Sequence, residues 1–155
     1  MKQTWSILCG RAVVDKETNL LSLIDLIEQI HISLDGKPED ASVVIIPIQI
    51  VLASLWERDE KEPPAMLRLR VTGIAPENKV FFESDQEADL LNHKRFRCLF
   101  QVKQLPFMGS GKYEFATDVF DTEANEWQRV SSNAVEVVEN PPAKKKASKK
   151  LAKKK

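Results

Sequence analysis

Along most of this chain, apolar and polar residues take turns. Leu67, Leu69 and Val71 alternate with Arg68, Arg70 and Thr72. Farther on, Phe96, Cys98, Phe100 and Val102 alternate with Arg97, Gln101 and Lys103 around Leu99. A period of two puts successive side chains on opposite faces, so every second residue meets a core and its neighbours meet water, the mark of half-buried strands. Tyr113, Phe115, Thr117 and Val119 repeat the pattern, then Asp121 to Asn125 supplies a polar turn and Trp127 to Val130 a returning strand, which together predict a hairpin. Trp5–Val14, Leu20–Ile32, Val43–Trp56, Val80–Glu83 and Ala134–Val138 bring the expectation to about eight or nine strands. Such spacing predicts an all-β, antiparallel sandwich rather than a βαβ fold. Its expected core includes Trp5, Ile7, Leu23, Ile27, Leu67, Leu69, Phe96, Phe100, Tyr113 and Phe115.

Some segments are ambiguous. Leu20–Ile32 also fits a helix, because Ser22, Asp25 and Glu28 or Gln29 fall on one side and Thr18 or Asn19 could cap it. Val43–Trp56 contains Pro47, which has no N–H for a ladder, so the segment is expected to bulge or break there. Glu87–Asn92 has the composition of a short helical turn, and the acid-rich Glu57–Pro64 reads as a loop.

With 155 residues and 43% hydrophobic content, the chain is the size of one domain. Its apolar runs fall short of the roughly 18 to 20 residues that cross a bilayer, and the opening MKQTWSILCGR is too polar for a signal-peptide core. We therefore expect a soluble cytoplasmic protein. The two cysteines, Cys9 and Cys98, lie in strand-like apolar sequence, which favours buried reduced thiols over a disulfide between them.

Charge changes the picture more than composition does. The 23 basic and 23 acidic residues cancel, yet eight of the bases are Lys144, Lys145, Lys146, Lys149, Lys150, Lys153, Lys154 and Lys155, with no acid among them. Residues 1–140 then hold 15 bases against 23 acids. The expected organisation is a sandwich domain over 1–140 and a disordered lysine-rich tail over 141–155, opened by Pro141-Pro142. A tail of this length spans roughly 21 Å against a radius of gyration of about 14 Å for the body, enough to reach its own acidic surface. Ala143, Ala147 and Leu151 recur every fourth residue, but so thin a stripe would not hold a membrane.

A lysine block of this kind predicts sequence-independent contact with nucleic acid or another polyanion through counterion release. The plain alternative is a solubilising extension that binds its own body. Arg68 with Arg70, and Arg95 with Arg97, form a possible basic face if their strands are neighbours; otherwise they pair with carboxylates such as Glu83 or Glu114. Asp121, Glu123 and Asn125 place oxygens like a calcium loop, but Glu126 and Ser132 stand where an EF-hand needs its glycine and its bidentate glutamate. A site pooled from Asp59, Asp85 or Asp89 stays open. Gly109-Ser110-Gly111-Lys112 resembles the end of a phosphate loop, but Pro106 and Tyr113 replace its first glycine and its hydroxyl. His31 and His93 have no metal-ligand spacing, and no serine stands in a nucleophile elbow. These absences point away from an enzyme and imply no cofactor and no metal.

Cys9 to Ile30, Ile46-Pro47 with the strand to Trp56, and Gly111 to Phe115 leading into the last hairpin together resemble a family of small bacterial and phage proteins of unknown function. Members are expected to be β-sandwiches. The resemblance covers about residues 5–138, implies that Leu20–Ile32 is a strand, and brings no catalytic residue or ligand. The functional expectation is a non-catalytic interaction module whose tail contacts nucleic acid. Two alternatives are an assembly protein pairing with a copy or a protein partner through a sheet edge, and a ligand- or metal-binding sandwich.

Overall fold

The chain's structure, a computed structural model, describes residues 1–34 and 43–141. Among these residues lie eleven β-strands and one 3₁₀ turn, Pro76–Asn78. A four-stranded sheet runs in the order β2 (Leu21–Leu26), β1 (Lys2–Val14), β5 (Ile50–Glu57), β8 (Arg95–Val102). A five-stranded sheet runs β3 (Gln29–Ile32), β11 (Glu126–Glu139), β10 (Gly111–Asp121), β6 (Met66–Ala75), β7 (Lys79–Asp89). A short ribbon joins β4 (Val44–Ile46) to β9 (Leu105–Phe107). Leu8, Leu52 and Phe100 of the first sheet belong to the same buried apolar cluster as Leu69, Phe115 and Val135 of the second, so the fold is a β-sandwich.

The 111–139 hairpin forms as expected. Ala134–Val138 is the continuation of its second strand, and the ladder shifts register between Thr117 and Asp118. Pro47 does separate two strands, β4 and β5. The expected helical turn over Glu87–Asn92 is absent: β7 runs to Asp89, whose Oδ1 then accepts the Leu91 and Asn92 N–H groups to fix a tight turn.

Leu20–Ile32 is neither a helix nor one strand. It is two strands in different sheets, and the crossing occurs between adjacent residues: Ile27 N–H donates to Leu8 O at 3.0 Å, whereas Glu28 O accepts from Glu136 N–H at 3.1 Å. The crossing also corrects the all-antiparallel expectation, because β3 meets β11 in parallel. A bend prepares it. Asp25 adopts φ 58° beside Gly10, where an added Cβ would lie 3.4 Å from the Asp25 Cβ.

Four of the expected core residues, Leu69, Phe100, Tyr113 and Phe115, are buried in the cluster, and Ile27, Leu67 and Phe96 pack against its margin. Trp5, Ile7 and Leu23 do not join it. The cause for the first two is a bulge in β1, where the pairing with β5 shifts between Gln3 and Trp5 and reverses the alternation beyond it. Ser6 and Leu8 therefore face inward. Ser6 Oγ donates to Asn133 Oδ1 at 2.7 Å and the Asn133 amide returns a bond to Ser6 O at 3.0 Å, tying the two sheets together.

Trp5, Ile7 and Cys9 instead share the outer side of the four-stranded sheet with Val51, Ala53 and Leu55. Cys9 and Ala53 have no exposed surface there and Val51 has 3%. The β1–β2 hairpin supplies the cover. Its turn residue Asn19 accepts two bonds from Arg97 of β8, at 2.9 Å to its carbonyl and 2.6 Å to Oδ1, although β2 and β8 are opposite edges of the sheet. The hairpin end thus folds back across the outer face.

Candidate nucleic-acid interface

The eight lysines from Lys144 to Lys155, and with them the expected disordered tail, lie outside the described residues. What the structure does place is the arginines. Arg68 and Arg70 stand on β6 in the five-stranded sheet; Arg95 and Arg97 stand on β8 in the four-stranded sheet. The two pairs therefore do not meet in one basic stripe.

Each pair has its own engagements. Arg95 donates to Glu57 Oε1 at 3.0 Å on the neighbouring β5, and Arg97 holds Asn19. On the five-stranded sheet, cross-strand register sets up a row of alternating charge: Asp85 on β7, Arg70 on β6, Asp118 on β10, Arg129 on β11. Arg70 Nε donates to Asp85 Oδ1 at 2.8 Å and its Nη2 to Oδ2 at 3.1 Å; Arg129 Nε donates to Asp118 Oδ1 at 2.9 Å. The forked hydrogen bond from Arg70 holds the Asp85 carboxyl below its usual range. Glu83 lies 3.7 Å from the same guanidinium, the cross-strand carboxylate pairing that the sequence offered as the alternative to a basic face.

The next row along is aromatic. Phe120 and Trp127 face each other across the hairpin with ring centres 5.2 Å apart. Arg68 lies 4.8 Å from the Phe120 ring centre, and Arg70 lies 4.3 Å from that of Trp127. Guanidinium groups over aromatic faces are stabilised by the ring quadrupole, and they occupy the surfaces on which a base would stack. This cluster was missed in the sequence. The hairpin alternation pairs Phe120 with Trp127, but nothing local indicates that β6 is the next strand.

The remaining sequence motifs resolve as turns. Asp121 Oδ1 accepts the Glu123 and Ala124 N–H groups at 2.9 and 3.0 Å, and Oδ2 accepts from Gln128 Nε2 at 2.9 Å, so the would-be calcium loop is a self-bonded hairpin turn. Across the Gly109–Lys112 loop, Tyr113 Oη accepts from Met108 N–H at 2.7 Å and donates to Gly109 O at 3.1 Å. Among the described residues, no three His, Cys, Asp or Glu side chains come together as a metal cage. Asp59 and Asp89 accept backbone N–H groups of their own turns, and Asp85 is held by Arg70. Cys9 and Cys98 are both buried and unpaired, one on each side of the same sheet, and burial pushes the Cys98 thiol up to about 12.

No family model matches the chain, and no curated protein matches it. The lysine block and the disposition of the arginines therefore carry the functional argument alone. On the described body, three of the four arginines put forward as a basic face are already hydrogen-bonded within the protein, and the fourth lies over Phe120 and Trp127.

Proposed function

We propose that this protein is a non-catalytic nucleic-acid-contacting module. Its lysine-rich segment, 144–155, supplies sequence-independent phosphate contact, and the acidic sandwich is the folded body that carries it. The observation behind this reading is the charge partition: eight lysines with no acid among them, joined to a body with 15 bases and 23 acids. The engagement of the body's arginines supports it, because phosphate binding by Arg70, Arg95 or Arg97 would first have to break bonds to Asp85, Glu57 or Asn19.

Each lysine that neutralises a phosphate releases a condensed cation, and eight acting together give a slope of log affinity against log salt of about −7 on duplex DNA. The acidic body repels the same phosphates, which limits affinity at low salt and favours release. Binding of the full chain to unrelated DNA duplexes across a salt series tests the reading. The expected result is equal affinity for different sequences and loss of binding when the eight lysines are replaced by glutamine. Retained affinity in that variant overturns it.

A further inference from the structure

A cleft of about 490 Å³ opens at one end of the sandwich, between the start of β1 and the ends of β5, β10 and β6. Its wall is apolar where Trp56, Leu67 and Val119 meet, and the indole N–H of Trp56 is already bonded to Ser54 Oγ at 3.0 Å. The ring, 2% exposed, therefore forms an apolar floor with no free polar atom. The volume lies within the range of roughly 300 to 1,000 Å³ typical of small-molecule sites.

Polar groups at this end lack partners. Gln3, which lines the cleft, has a buried Nε2 with no hydrogen-bond partner. Two residues along β10 from Val119, the fully buried Thr117 leaves its hydroxyl unbonded, and so does Ser131, its cross-strand neighbour on β11, though neither lines the cleft. A buried donor without a partner costs about 1–3 kcal/mol. Arg58 Nε is the other such atom among the described residues; of the four, Gln3 Nε2 is the one on the cleft wall, placed to meet a polar atom from outside the fold.

Charge selects further. The Asp121 carboxylate at the rim is consumed by its own turn and by Gln128, whereas Lys2, also on the rim, forms no ion pair among the described residues. We propose that the cleft binds a small amphipathic anion, with a flat apolar body against Trp56, Leu67 and Val119, an acceptor oxygen at Gln3 Nε2 and its negative charge beside Lys2. This site is independent of the lysine-rich segment and of the nucleic-acid reading.

The probe is 1-anilinonaphthalene-8-sulfonate, which has an aromatic body and an anionic acceptor group. Its fluorescence is titrated with the full chain in high salt, which screens the lysine-rich segment. We expect saturable binding of one dye per chain, abolished by Val119→Trp, which fills the cleft, and weakened about tenfold by Gln3→Ala, the loss of one hydrogen bond to an anion. Leu26→Ser, at an exposed leucine remote from the cleft, leaves binding unchanged. Urea unfolding verifies that each variant is folded, and if Val119→Trp is not, Gln3→Ala decides. Absence of saturable binding to the parent, or parental affinity in Gln3→Ala, overturns the proposal.

Discussion

Gly73 should be irreplaceable for a reason that can be measured. It sits buried on β6 beside an irregularity in the β6–β7 ladder, where Gly73 pairs with Phe82 and Ile74 with Val80, leaving Phe81 as the extra residue. The Phe81 ring consequently lies over the glycine. A Cβ at position 73 would stand 2.7 Å from Phe81 Cζ, 2.9 Å from Cε2 and 3.0 Å from Phe82 Cβ. Carbon atoms prefer about 3.5–4.0 Å, so the ring would have to retreat by most of an ångström. It has little room, since its centre is 5.8 Å from both Tyr113 and Phe115, which are themselves buried. Overpacking of this kind costs about 1–3 kcal/mol, against which alanine recovers only about 0.4–1 kcal/mol by restricting the unfolded chain. Gly73→Ala should therefore destabilise the protein by about 1–2 kcal/mol. Phe81→Leu removes the two clashing ring atoms, so the double variant should be more stable than the sum of the single effects by at least about 1 kcal/mol. Urea unfolding followed by tryptophan fluorescence gives all four stabilities. Additivity within about 0.5 kcal/mol would show that the ring does not exclude the methyl group.

Three further expectations follow from the hydrogen bonds. Tyr113→Phe strands the Met108 N–H and the Gly109 carbonyl, and should lower the stability measured by urea unfolding by about 1–3 kcal/mol; an unchanged midpoint refutes it. Asp85 has its carboxyl held below the unfolded value of about 3.9, so the Arg70 pair stabilises the fold above that pH and the benefit is lost as pH falls through the lower folded value. Because the Asp85 side chain is 47% exposed, the effect is discounted to within about 1 kcal/mol. The stability gap between parent and Asp85→Asn should close below about pH 4, and a gap that widens on acidification contradicts the assignment. Arg97→Ala releases Asn19, so hydrogen exchange should quicken across residues 11–24 and stay unchanged in β10; uniform exchange rates would mean that the hairpin is held by other contacts.

The sequence yields structure wherever one face of a strand is wet. Tyr113 and Phe115 alternate with Lys112 and Glu114, and both the hairpin and its inward face are legible from them. Reading fails where the period is ambiguous. Leu20–Ile32 mixes leucines and isoleucines with Ser22, Asp25, Glu28 and Gln29 at spacings that fit a helix or a strand, so nothing local marks Ile27 and Glu28 as the crossing between sheets. Trp5 and Ile7 alternate correctly but are displaced by a single extra residue in the ladder, and a bulge carries no signature of its own here. The arginines were identifiable as outward-facing, yet their partners depend on strand neighbours far apart in sequence: fifteen positions separate Arg70 from Asp85, and thirty-eight separate Arg95 from Glu57. The cleft was invisible for the same reason, since Gln3, Trp56 and Val119 meet only through the tertiary fold.

The folded-back β1–β2 hairpin makes the four-stranded sheet an inner layer at β5, and this accounts for the near-continuous burial of Ile50–Trp56, apolar but for Ser54. It also orders assembly. The clasp at Asn19 has no seat until residue 97 has been brought alongside by pairing of β8 with β5, a closure across seventy-eight positions. Closing a loop of that length carries an entropic cost, and the outer side of β5 is covered only once it has been met. Until then, the greasy side of β5 stands uncovered, and this is the interval in which a folding chain is most exposed to sticking to another copy.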